Sequence, residues 1–216
     1  MHKKPPLPNV EHALDLDGSS ASIKQYYAKW SKTYDSDLAG VYTAPKFMVE
    51  LLSQLMSREG QTDFDQLEVM DVGCGTGDVG QHLAQLQFKA IDGVDISPEM
   101  VEQARLTRVF REVQGDVDIN CAIHPRWRER YDIVTCCGVF TLGHVQPQAL
   151  VNVLDFAKVG GLVLTSTRTA YYDQTEIGSV HDELQSQGRA VLLDSVRDGP
   201  YTNDSDAHYW VFRKTG

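Results

Sequence analysis

At 216 residues the chain is long enough for one domain with a sizeable core, and its 42% hydrophobic and 23% charged content is that of an ordinary globular protein. A net charge of −10 excludes the extended basic footprint on which nucleic-acid binding depends. No apolar run approaches a membrane span, and the basic N-terminus lacks the apolar segment of a signal peptide, so a cytoplasmic protein is expected.

Residues 1–18, proline-rich and then polar, read as a mobile tail ahead of a single domain over 19–216. From Ser22 onward Ile23, Tyr26, Tyr27, Trp30 and Tyr34 recur at helical spacing. Aromatic rings with polar tips suit the wall of a ligand site as well as plain packing. Helices over about 22–58 are therefore expected to form a lid. Thr43-Ala44-Pro45 reads as the cap of its second helix, whose Phe47, Met48, Leu51, Leu52, Leu55 and Met56 form a packing stripe.

The stretch Leu67 to Leu83 carries the strongest signal. A short apolar run ends at Val72, glycines follow at 73, 75 and 77, and helical spacing resumes at Val79, Leu83 and Leu86. This is the strand, tight turn and helix of a nucleotide-binding unit. A dinucleotide fingerprint demands glycine at position 78, where the chain has Asp78. Asp71 and Asp78 would also repel a pyrophosphate at the helix N-terminus. No Gly-Lys-Ser/Thr follows, so a phosphate loop fails too. Asp-x-Gly-x-Gly-x-Gly instead suits a phosphate-free adenosyl ligand bearing positive charge, a description that S-adenosylmethionine meets.

Lys89 to Asp95 reads as the second strand, with Asp95 following Gly73 by 22 positions and placed to accept from ribose hydroxyls. Ser97-Pro98-Glu99 opens a helix running to about Val109, with serine as its cap. Glu112–Gly115 is a short third strand and Tyr131–Phe140 a fourth, apolar throughout as a parallel strand covered on both faces should be. Gln148–Lys158 is an amphipathic helix, Gly160-Gly161 turns into a fifth strand, and Glu176–Gln187 is another helix. Arg189–Ser195 and His208–Arg213 alternate as a closing antiparallel pair. Cysteines at 74, 121, 136 and 137 show no framework spacing, which points to a reducing compartment.

Taken in order, Val69 to Gly77, Gly93 to Ser97, Gly115-Asp116-Val117, Tyr131 to Val134 and Gly160 to Val163 resemble the successive motifs of the class I S-adenosylmethionine-dependent methyltransferases. The resemblance runs from about Tyr26 to Phe212. Tyr27 to Asp35 and Gly138 to Val145 look most like the Williams–Beuren-region methyltransferase-like proteins. It implies a doubly wound, Rossmann-like α/β sheet of seven strands, order 3-2-1-4-5-7-6, strand 7 antiparallel, with S-adenosylmethionine as cofactor and no metal. Carried onto these residues, it implies a cofactor site of Asp71, Gly73, Cys74, Gly75, Gly77, Asp95, Ile96, Asp116, Val117 and Gly138, with Tyr27 and Tyr34 from the lid. Asp116 would accept from the adenine amino group, the Val117 amide would donate to the ring, and Ile96 would pack on its face.

Ligands in such folds sit outside the carboxyl ends of the strands. Trp30, Phe140, Arg168 and Tyr172 are accordingly expected around a small-molecule acceptor. His144, the imidazole just beyond strand four, is the candidate general base, with a role in merely shaping the pocket weighed against it. Cys137-Gly138-Val139-Phe140 replaces the Asn/Asp-Pro-Pro-aromatic tetrad of amino-directed nucleic-acid enzymes. The expected activity is methyl transfer to O, N, S or activated carbon of a small molecule. Alternatives are a protein methyltransferase, a cofactor-binding protein that does not methylate and, less favoured because of Asp78, a nicotinamide oxidoreductase.

Overall fold

A computed structural model describes residues 8–216, and the chain enters it through helices α1 (Pro8–Leu14), α2 (Ser20–Trp30), α3 (Tyr34–Leu38) and α4 (Ala44–Arg58). The segment expected to be a tail therefore holds a helix, while its first seven residues lie outside the described ones. Ala13 is buried, and the backbone at Leu14 and Leu16 runs so close to Gly143 that a Cβ there would meet the Leu16 carbonyl at 2.6 Å. The Ser19 hydroxyl caps α2 by accepting from the Ser22 amide at 3.2 Å. Thr43 does not cap α4; its hydroxyl donates to the Tyr201 carbonyl at 3.3 Å and ties the lid to the sheet.

The α/β portion follows as β1 (Glu68–Val72), α5 (Asp78–Gln85), β2 (Ala90–Val94), α6 (Pro98–Thr107), β3 (Glu112–Gln114), β4 (Tyr131–Phe140), α7 (Ala149–Phe156) and β5 (Ala157–Arg168). It closes with α8 (Thr169–Gln174), α9 (Ile177–Ser186), β6 (Ala190–Thr202) and β7 (Ser205–Lys214). The seven strands lie in the order β3-β2-β1-β4-β5-β7-β6. β1 is parallel to β2 and β4, with Met70 opposite both Asp92 and Val134. β7 runs antiparallel between β5 and β6, pairing Thr165 with Trp210 and Ser195 with Trp210 on its two sides.

The expected fold is the observed one, and its cause is visible in the side-chain alternation. Val69, Ile133 and Leu162 go to one face, where α4 and α5 cover them. Their neighbours Met70, Val134 and Val163 go to the other, beneath α7 and α9. Apolar residues at consecutive positions are what a parallel strand sandwiched between helices calls for. Ser97 caps α6, its hydroxyl accepting from the Met100 amide at 3.3 Å. β6 runs seven residues past the expected Ser195, with register shifts around Asp194, Arg197 and Tyr201 that let it pass Pro200. Among the described residues no helix is long and apolar enough to cross a membrane.

Candidate active site

The chain must leave β1 by a turn that brings backbone against ligand, and the glycines make that possible. Gly73 has φ +70°, and a Cβ there would lie 2.2 Å from Val139 Cγ2. The Gly73 and Cys74 amides donate to the Val94 carbonyl at 2.8 and 3.0 Å, pinning the loop to β2. Asp95 fixes the rest. One of its oxygens accepts from the Gly75 amide and the other from the Ser97 amide, both at 2.8 Å. Burial pushes the Asp95 carboxyl up, and these backbone donors pull it back.

A second turn faces the first. The pairing of β4 with β5 slips between Cys136 and Phe140, and Gly138 takes φ +77° within that irregularity. Its amide donates to the Ser166 hydroxyl at 2.9 Å, and a Cβ on it would lie 2.3 Å from the Tyr42 hydroxyl. Between the two turns lies a pocket lined by Gly73, Gly75, Asp95, Ile96, Val117, Gly138, Tyr27 and Tyr34 among others. Beneath it Asp71 is almost wholly buried; Oδ1 accepts from the Thr135 hydroxyl at 2.9 Å, whereas Oδ2 has no hydrogen-bond partner among the described residues. Burial pushes this carboxyl up to about 7. An orphaned buried acid below the loop and a second carboxylate, Asp95, beside it fit a cationic adenosyl cofactor and would repel a pyrophosphate.

The lid closes the groove from above. The Thr76 hydroxyl donates to Asp35 of α3 at 2.5 Å, Ser20 donates to Asp118, and Lys24 pairs with Asp116. The Tyr27 hydroxyl lies 2.8 Å from His144 Nε2, and His144 Nδ1 lies 3.0 Å from the Leu142 carbonyl. A carbonyl only accepts, so Nδ1 carries the proton and the lone pair of Nε2 takes the Tyr27 hydroxyl. Burial lowers His144 below its ordinary value and keeps the ring neutral. Behind this pair a second chamber is walled by Tyr27, Trp30, Tyr34, Tyr42 and Tyr201, with Thr141 and Arg168 also in its lining. Tyr27, Tyr34, Tyr42, Gly138 and His144 line both spaces, so the groove and the chamber adjoin across them.

Some expected site residues stand elsewhere. Asp116, at φ +61°, turns outward to Lys24, and Asp118 lines the groove in its stead. The Val117 amide is taken by the Asp95 carbonyl at 3.0 Å, so it has no hydrogen to offer an adenine ring. Cys74 is buried against Gly93 and Gly77 is the N-cap of α5; neither lines the groove. Phe140 is buried against Tyr171, and Tyr172 stacks on Trp210 beneath Arg197, so neither reaches the chamber. The pattern reading passed over Tyr42, Thr141 and Tyr201, lone residues in segments without usable periodicity.

Residues 70–163 match a family of methyltransferase domains. The chain is 32% identical to human methyltransferase-like protein 27 over 67% of its own length and 57% of the relative's. It is 30% identical to a ubiquinone biosynthesis O-methyltransferase of Klebsiella pneumoniae, over 74% of itself and 62% of that protein. It thus spans less than two thirds of either relative. A crystal structure of an S-adenosylmethionine-dependent methyltransferase from Clostridium acetobutylicum superposes with a TM-score of 0.63 at 16% identity, covering 88% of this chain and 99% of that one.

Proposed function

This chain belongs to the class I S-adenosylmethionine-dependent methyltransferases, and we propose that it transfers the cofactor's methyl to a small-molecule acceptor by in-line displacement. The observation that carries the reading is that the glycine-loop groove adjoins an aromatic chamber, the two sharing Gly138, Tyr27 and His144 in their walls. When bound, the cofactor supplies an electrophilic methyl on a sulfonium. Asp95, the Gly73–Gly75 backbone and Ile96 would hold its adenosyl part, and Asp71 would meet its positive charge. The chain's own work is then alignment, exclusion of water and custody of a proton, of which alignment alone contributes several kcal/mol (about 7–11 at its best).

Tyr27, Tyr34 and Tyr42 surround the junction with ring faces and shut out water under the closed lid. His144, neutral and with its lone pair directed at Tyr27, receives the acceptor's proton once Tyr27 gives way to the acceptor or relays it. The relatives named O-methyltransferases make oxygen the first acceptor atom to test. We assign the reaction to a reducing cytoplasmic setting, in keeping with the four free cysteines.

Calorimetric titration with S-adenosylhomocysteine and with NAD is the first test. Binding of NAD alone would overturn the methyltransferase reading. Transfer of tritiated methyl into a metabolite extract is the second, and small labelled products are expected. Label confined to a protein band would move the acceptor to a protein, and cofactor binding without any transfer would leave only a binding role.

A further inference from the structure

We propose, on the premise of the methyltransferase reading, that the acceptor is a planar organic acid whose carboxylate is taken by Arg168 and Thr141. Arg168 is the charged side chain of the acceptor chamber, where the other lining groups are aromatic, aliphatic, hydroxyl or the neutral His144. Its guanidinium lies over the Tyr201 ring, 5.2 Å from the centroid. Among the described residues it has neither an acid partner nor a hydrogen-bond acceptor. Arg111, Arg128, Arg130 and Arg189 each have an acid partner, as a chain of net charge −10 readily provides. An arginine fork left open in a half-buried pocket is matched in shape by a carboxylate, which accepts two parallel hydrogen bonds from it.

Thr141 points the same way independently. It is 4% exposed, lines the chamber, and its hydroxyl oxygen has no partner among the described residues. A buried hydroxyl without a partner is costly, and an anionic oxygen beside it would satisfy it. The flat rings of the walls select a flat body between this anion seat and Gly138. The nucleophilic atom would sit at the opposite end of the acceptor from its carboxylate, toward His144.

The test uses the full chain saturated with S-adenosylhomocysteine, titrated calorimetrically with benzoate, phenylacetate and 3-phenylpropanoate and with their primary amides. At least one acid is expected to bind about tenfold or more tightly than its amide, the equivalent of one charge-assisted hydrogen bond. Arg168→Met should erase that preference while leaving S-adenosylhomocysteine affinity unchanged, and Arg168→Lys should keep part of it. Thr141→Val should weaken the acid but not the amide. Equal binding of acids and amides, or binding of none of the acids to the loaded protein, overturns the proposal. Failure of S-adenosylhomocysteine itself to bind would instead remove the methyltransferase premise.

Discussion

Asp71→Asn separates what this carboxylate costs the empty protein from what it contributes to the cofactor. Burial raises Asp71 from 3.8 to about 7. Each tenfold change in proton affinity is about 1.4 kcal/mol, so the folded chain holds roughly 4 kcal/mol against its ionisation. Between pH 4 and 7 the native state keeps a proton that the unfolded state has lost, so stability falls as pH rises through that window and levels off above it. Asparagine carries no such penalty. The variant should therefore lose most of this slope and, without ligand, be more stable than the parent at pH 8. That gain is reduced by about 1–3 kcal/mol for the buried amide hydrogens left without an acceptor near the old Oδ2. Cofactor binding should show the mirror image. A cation beside Asp71 favours its ionised form, so the parent should release protons on binding near pH 6–7 and bind more tightly as pH rises, and the variant should do neither. Urea unfolding from pH 5 to 8 reads the first effect, and calorimetry in two buffers of different ionisation enthalpy reads the second. An unchanged stability slope in Asp71→Asn, or equal proton release by both proteins, would refute the assignment of this charge.

Three further outcomes are expected. Gly138→Ala places a Cβ 2.3 Å from the Tyr42 hydroxyl at φ +77° and should cost about 2–4 kcal/mol of stability by strain and overpacking, read by thermal unfolding, together with weaker S-adenosylhomocysteine binding. Asp95→Ala should reduce S-adenosylhomocysteine affinity by about 1.5–3 kcal/mol; an unchanged dissociation constant in a folded variant would remove Asp95 as the ribose anchor. His144→Ala should lower turnover about 10²–10⁴-fold with cofactor binding retained. Because burial depresses His144, the acid limb of the pH–rate profile should lie below its ordinary value of 6.5 and vanish in the variant.

The groove at the glycine loop was legible because it is local. Gly73, Gly75 and Asp95 each sit at the end of a strand whose apolar run announces it, so spacing along the chain is also placement in space. Asp116 and Asp118 show where this stops. They differ by two positions in one turn, and only the backbone torsion at Asp116 decides which of them faces the groove. In α8 the helical phase decides: Tyr171 is buried against Phe140 and Tyr172 packs on Trp210, which the pair of tyrosines alone does not reveal. The acceptor chamber was the least legible part. Tyr42, Thr141, Arg168 and Tyr201 come from four separate segments and meet only because β6 runs beyond its expected end and β4 bends at Gly138.

The lid is joined to the rim at Asp35–Thr76, Lys24–Asp116, Ser20–Asp118 and Tyr27–His144, and three of its tyrosines wall both spaces. One set of side chains therefore covers both spaces, and in the proposed reaction donor and acceptor would share one door. Such contacts are worth from a few tenths to about 1.5 kcal/mol each, so parting them is a local change well short of unfolding, with α4 staying packed on the sheet. In the proposed reaction the spent donor would leave only when those contacts part, so opening of the lid is expected to set the pace as much as the bond that is made. A thicker solvent should then slow the steady state while leaving a single turnover on the closed complex untouched.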